Sequence, residues 1–133
     1  MASSPQGSRF SVAALTALRI VAADMFLLSG TSKIFGFPVP MPDGSTADLM
    51  TQMGIGGVLE IVGGGLLVLG LFTRPVAFLM SGMMAVAYFQ FHAPNDFWPT
   101  VNGGVPAVLY CFLWLYFAAA GAGPWSLDAK GGR

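Results

Sequence analysis

Charge is scarce in this chain. Of 133 residues, six are basic and six acidic, 9% in all, against 55% hydrophobic. A soluble domain ordinarily carries about 25% charged residues, because water touches it on every side. So few charges cannot wet such a surface, and a mean hydropathy of +0.70 agrees. The charges cancel to a net of zero, so the chain has no basic footprint for nucleic acid. Cys111 is the lone cysteine, which excludes an internal disulfide and a thiolate metal cluster. His92 is the lone histidine, which excludes a multi-histidine haem or copper site. The glycine run at Gly63, Gly64 and Gly65 lacks the Gly-Lys-Ser/Thr ending of a phosphate loop and follows no strand pattern.

Long apolar runs fill the space these absences leave. The spans are Phe10 to Phe35, Ile55 to Phe72, Val76 to Phe91 and Val105 to Ala122. A membrane helix needs ~20 apolar residues to cross ~30 Å of hydrocarbon. The helices of a soluble bundle would each show a polar stripe, but the last two spans carry no charged residue on any face. Arg19 and Asp24 interrupt the first span, which is also too long for the apolar stretch of a secretion signal. The chain therefore reads as an all-α, four-transmembrane-helix bundle. Its membrane domain covers residues 10–128, between a polar tail at 1–9 and a short tail at 129–133. Most of the 18 glycines lie in or beside the spans, where they let backbones approach closely.

The distribution of basic residues sets the orientation. Arg9, Arg74, Lys130 and Arg133 lie on segments that share one side if there are four crossings. The two other loops hold Asp43, Asp48 and Asp96 and no basic residue, with Lys33 near them at the end of span one. Both termini are thus expected in the cytoplasm, with the chain multi-pass in a bacterial inner membrane. Thr46 to Met53 is expected to form a turn before span two. Residues 92 to 99 are expected to form an aromatic loop at headgroup depth, where Phe97 and Trp98 suit the boundary.

The chemistry rests with few residues. Arg19, Asp24 and Glu60 lie well inside spans one and two. An ionised group in hydrocarbon needs a partner, a wet cavity or neutralisation. Arg19 lies ~14 Å in from Arg9 and Glu60 ~21 Å from Arg74 at helical rise. Both depths fall near mid-membrane, so an Arg19–Glu60 contact is expected, either as an ion pair fixing helix register or as a functional polar pocket. Arg19, Ala23, Phe26, Gly30 and Lys33 follow one stripe by steps of three and four. Asp24 is turned away from that stripe, to bond a polar group of another helix or another subunit, or to be held protonated. Lys33 either snorkels to the surface or joins an outer-end polar site with His92 and Asn102. Gly57, Glu60 and Gly64 share a face of span two, where small residues favour close helix packing. His92 suits a hydrogen bond to a quinone carbonyl, a proton relay or a helix cap. Cys111 reads as a small apolar filler.

At these residues the chain resembles the DoxX-like family of small bacterial membrane proteins. The matching stretches are Leu18-Arg-Ile20, Leu28-Ser-Gly-Thr-Ser-Lys-Ile-Phe-Gly36, Leu59-Glu-Ile-Val-Gly-Gly64 and Leu69-Gly-Leu-Phe-Thr-Arg-Pro75. His92-Ala-Pro-Asn-Asp-Phe-Trp-Pro99, Asn102-Gly-Gly104 and Gly123-Pro-Trp-Ser-Leu-Asp128 complete them, in order, over roughly residues 12 to 128. The resemblance implies a four-helix membrane bundle. Family members are associated with terminal quinol oxidase and thiosulfate:quinone oxidoreductase systems, and others resemble partners of secreted redox enzymes. The motif positions carry over to Arg19, Lys33, Glu60, His92 and Asn102, without catalytic roles. Asp24 departs from the family pattern, where an apolar or small residue is usual, and is the candidate partner contact. The resemblance implies an accessory or anchoring subunit of a redox- or quinone-linked membrane assembly, with no cofactor or metal of its own. Its expected partners are the lipid bilayer and other membrane subunits or further copies of the chain. The alternative is a quinone- or thiol-linked oxidoreductase component with its own small-molecule site.

Overall fold

The computed structural model of the protein describes residues 8–42 and 44–131. Residues 1–7 of the polar tail, Asp43 of the acidic count, and Gly132 and Arg133 lie outside the described residues. Among the described residues the structure is all-helical, with six α-helices and no strand. They are α1 (Arg9–Phe35), α2 (Gln52–Leu69), α3 (Thr73–Ala87), α4 (Pro99–Asn102), α5 (Val105–Ala120) and α6 (Leu127–Lys130). A π-helical turn, Tyr88–His92, continues α3.

Local chemistry sets the ends of these helices. Ser8 caps α1 by accepting the Ser11 N–H at 2.9 Å, and Gly36 ends it at φ 71°, in the left-handed region. Thr51 caps α2 through the Gly54 N–H, after a turn in which Asp48 accepts from the Met50 N–H. That turn falls within the stretch expected to precede span two. Such side-chain acceptors satisfy N–H groups that the helix leaves unpaired.

The second span ends earlier than the apolar run suggests. Gly70 turns left-handed at φ 69°. The Leu71 N–H then reaches back to the Leu66 carbonyl and the Gly70 N–H to that of Leu67, the paired bonds of a Schellman motif. The break therefore falls at residues 70 to 72, and Thr73 already opens α3. Pro75 sits in its first turn, where a missing N–H removes no helical bond.

Two helix pairs carry the packing. One compact unit is Met1–Phe72 with Ala122–Arg133, and the other is Thr73–Gly121. In the first, α1 packs on α2, and in the second, α3 packs on α5. Both α1 and α2 are long and apolar enough to cross a membrane by length and composition, and α5 is a shorter apolar helix. Large apolar side chains point outward from these helices. Val21, Val62, Phe78 and Phe112 are each more than half exposed, the reverse of a helix that meets water on its outer face.

Candidate functional site

In the first unit the register of α1 on α2 decides which polar groups meet. Gly30 comes so close to α2 that a Cβ there would lie 2.5 Å from the Gly57 carbonyl oxygen. At Gly64 an added Cβ would lie 2.9 Å from the Leu27 nitrogen and 3.0 Å from the Ala23 oxygen. The small-residue face at Gly57 and Gly64 is therefore where α1 docks, and only a hydrogen atom fits at the tightest of these crossings. Arg19, Ala23, Phe26 and Gly30 of the predicted α1 stripe are all buried.

Glu60 lies in this crossing and is buried, 3% exposed. Its Oε1 takes the Lys33 ammonium at 2.8 Å. The Ser29 hydroxyl is 3.3 and 3.4 Å from the two carboxylate oxygens. Ser29 precedes Lys33 by four residues on α1, so one helix face brings both to the carboxylate. That spacing was present in the sequence as the signal for Ser29.

The expected Arg19–Glu60 contact is corrected. Arg19 is buried, 2% exposed, and its guanidinium meets backbone carbonyls. Nε donates to Leu67 at 3.0 Å, Nη1 to Ala122 at 2.8 Å, and Nη2 to Val68 and Trp125 at 3.3 Å each. The reason is helix length. α1 has 27 residues and α2 has 18, about 40 and 27 Å at helical rise. Arg9–Leu18 therefore runs past the end of α2, and Arg19 stands level with the C-terminus of α2. Glu60 is two turns earlier in α2, ~10 Å away.

At that C-terminus a planar, five-donor cation suits carbonyls left without helical N–H partners and the negative end of the helix dipole. Asp128 adds to this knot. Its Oδ1 accepts the Phe72 N–H at 2.8 Å, and its own N–H donates to the Gly70 carbonyl at 2.9 Å. The sequence reading missed Asp128 as a member, although it lies in one of the matching stretches.

In the second unit Tyr88, His92 and Asn102 come together. The Asn102 amide donates to the Tyr88 hydroxyl at 3.1 Å and to the Asp96 carbonyl at 2.6 Å, and its oxygen accepts the Gly104 N–H at 2.7 Å. The Tyr88 hydroxyl donates to the Phe97 carbonyl. His92 Nδ1 lies 3.2 Å from the Asn102 carbonyl oxygen. A carbonyl only accepts, so Nδ1 carries the proton there and Nε2 is the acceptor of the neutral ring. The Tyr88 and His92 rings stack at 6.1 Å. The π-turn makes this possible, because its Ala93 N–H bonds the Tyr88 carbonyl and re-aims the residues between. Such turns are frequent at functional sites.

Beside this network lies a groove of about 380 Å³ between α3 and α5, walled by Met84, Phe89, Trp98 and Phe112. Cys111 lines it, and its Sγ lies 3.6 Å from the Ser81 hydroxyl. Lys33, predicted to join His92 and Asn102, belongs to the first unit and has Glu60 as its partner there. Asp24 is exposed on α1. Among the described residues, no group of three His, Cys, Asp or Glu side chains is placed to hold a metal ion.

A family model described as DoxX matches residues 14–93. A protein of Haemophilus influenzae described as "Uncharacterized protein" is 50% identical over 119 residues, covering 87% of this chain and 89% of its own. That match extends past Ala93, where the family model stops. No solved structure matches the chain.

Proposed function

Because this chain belongs to the DoxX family of membrane proteins, we propose that it is a small accessory or anchoring subunit of a larger, redox-linked assembly in the bacterial inner membrane. It crosses the membrane four times with both termini in the cytoplasm. Arg9, Arg74 and Lys130 mark the inner segments, and Asp48 and Asp96 the outer ones. Lys33, the basic residue at the outer end, is held by Glu60 and does not offset that bias.

The observation that carries the reading is the internal commitment of Arg19 and Glu60. Arg19 is taken up by four carbonyls, and Glu60 by Lys33 and Ser29. Groups so held fix helix register, which is the work of a scaffold. A catalytic acid or base needs access to a proton it can exchange.

The second reading is an oxidoreductase component with its own quinone-like ligand, and the groove favours it. Its volume falls in the range of small-molecule sites, ~300–1,000 Å³, and its walls fit an apolar ring or chain. A head group finds less there. The Tyr88 hydroxyl is engaged with Phe97 and Asn102, and the Cys111 thiol faces Ser81. His92, the residue such a reading would use, is not among those that line the groove.

One paired measurement separates the two. Asp24→Leu and His92→Ala are each followed for partner retention on size exclusion in mild detergent and for quinone-linked turnover of the assembly. The accessory reading expects Asp24→Leu to release the partner and His92→Ala to change neither quantity. Full retention in Asp24→Leu, with turnover lost only in His92→Ala, establishes the second reading instead.

A further inference from the structure

Asp24 stands five residues after Arg19 on α1, which turns it about 140° around the helix and carries it about 7 Å back from the C-terminal end of α2, alongside that helix. It is level with Gly64, whose closest approaches are to Ala23 and Leu27. The carboxylate is therefore inside the apolar stretch and on the face away from α2. Its exposed neighbours on that face, three and four residues earlier, are Val21, 56% exposed, and Ile20, 39% exposed. A bare carboxylate at such a place in lipid is costly and calls for a partner.

Among the described residues, the lysines and arginines are bonded to other groups or lie at helix ends. Arg19 is bound to carbonyls and Lys33 to Glu60. Arg74, the sole basic residue of the second unit, donates to the Ala119 and Ala120 carbonyls. Arg9 and Lys130 lie at helix ends. A second copy meeting at this face would be related by a two-fold axis, which places the same patch on both sides. Carboxylate would then face carboxylate, and like charges so placed repel.

We infer that the Asp24 face of α1 docks a transmembrane helix of a different protein that carries a single basic side chain at matching depth. This rests on the accessory-subunit reading and names the chemistry of the partner. The apolar residues around Asp24 supply the helix-to-helix packing, and the ion pair selects the partner and sets its depth.

The probe is a synthetic polyleucine transmembrane peptide with one arginine at its midpoint. It is reconstituted with the full chain in phosphatidylcholine vesicles, and association is read by energy transfer between labels on the two. A control peptide carries leucine at the midpoint, and a third carries aspartate. The wild-type chain should bind the arginine peptide at least about tenfold more tightly than the leucine peptide. Asp24→Asn and Asp24→Leu should lose that preference, and Asp24→Arg should transfer it to the aspartate peptide. Circular dichroism and melting in detergent verify folding. Should Asp24→Leu fold poorly, Asp24→Asn carries the test, since it differs by one atom.

Equal binding of the arginine and leucine peptides overturns the inference. So does an undiminished preference in Asp24→Asn, because a neutral hydrogen bond then suffices. Self-association of the wild type that Asp24→Leu abolishes also overturns it, in favour of a second copy. If the peptides fail while Asp24→Leu still releases a native partner, the accessory reading stands and the partner's matching group is not a cation.

Discussion

The α1–α2 pair and the α3–α5 pair are both held together by polar groups, but of different kinds. Across the first unit the side chains that reach between elements include Arg19, Lys33, Glu60 and Asp128, all ionisable, with the Ser29 hydroxyl beside Glu60. Across the second they include Ser81, Tyr88 and Asn102, all neutral, with His92 on the Asn102 carbonyl and Arg74 bonding carbonyls at the last turn of α5. The charged pair of helices is also the one packed through glycine, at Gly30, Gly57 and Gly64. The neutral pair is packed through Met80, Trp114 and Phe117. Close backbones leave little space, so an ion there needs a partner directly opposite it. Bulky packing tolerates a lost neutral bond, because apolar atoms still fill the interface.

The comparison is tested hardest at Arg19. Removing the guanidinium takes a charged donor from four carbonyls, of which Leu67 keeps the Gly70 N–H. A hydrogen bond to a charged group contributes about 1.5–3 kcal/mol, so Arg19→Leu should abolish most folded protein in detergent. Arg19→Lys should recover part of it, since an ammonium has three donors but no planar fork. Thermal unfolding followed by size exclusion reads both. An Arg19→Leu protein that melts like the wild type would remove the charged knot from the account of this unit.

Next in size is Glu60. Glu60→Leu strands Lys33, which is 27% exposed and can turn toward water or headgroups. The loss should therefore fall below the ~3–5 kcal/mol of a fully buried pair. Combining it with Lys33→Leu should restore part of the stability, a coupling of about 1 kcal/mol. Glu60→Leu combined with Arg19→Leu should be additive, because those two share no partner. Coupling to Arg19 but none to Lys33 would reverse the assignment.

A glycine pair sharpens the packing half of the comparison. A Cβ at Gly30 runs into the Gly57 carbonyl, whereas at Gly65 it meets nothing within 4 Å. Gly30→Ala should cost about 1–3 kcal/mol by overpacking. Gly65→Ala should change stability by no more than ~0.5 kcal/mol. Equal melting temperatures for the two variants would mean that α1 and α2 are not in close contact at this crossing.

How far the sequence reveals this structure depends on whether a feature is periodic or relative. The α1 stripe from Arg19 to Gly30 and the shared face of Gly57, Glu60 and Gly64 follow from helical spacing within one segment. The structure has them buried together. The partner of Glu60 does not follow, because it depends on where α2 stops relative to α1. Apolarity continues through Leu71 and Phe72, but the chain turns at Gly70 on backbone geometry, and hydropathy cannot see that. Arg19 and Lys33 stand fourteen residues apart on α1, ~21 Å at helical rise, so the offset between the two helices decides which of them stands level with Glu60. The carbonyl knot was hidden for a further reason. Backbone acceptors leave no trace in side-chain patterns, so Arg19 reads as a charge seeking a carboxylate. The Tyr88–Asn102 network depends on a π-turn, which shifts the face of the helix within a few residues and blurs the spacing that would have signalled it.

The smallest expected effect is at His92. Its Nδ1 makes one hydrogen bond to the Asn102 carbonyl, and the ring is only half-buried. One neutral hydrogen bond contributes about 0.5–1.5 kcal/mol, so His92→Ala should lower stability by less than ~1 kcal/mol, with water taking the freed carbonyl. Asn102→Ala removes the tie to Tyr88, Asp96 and Gly104 together and should cost clearly more. The two variants therefore separate the loop's architecture from its chemistry. If His92 is only a helix-end contact, His92→Gln should restore the small loss, because an amide donor can replace Nδ1–H. If Nε2 accepts a proton during turnover, His92→Gln should restore stability and leave turnover depressed, because an amide does not titrate. Melting and quinone-linked turnover measured on the same preparations separate these outcomes.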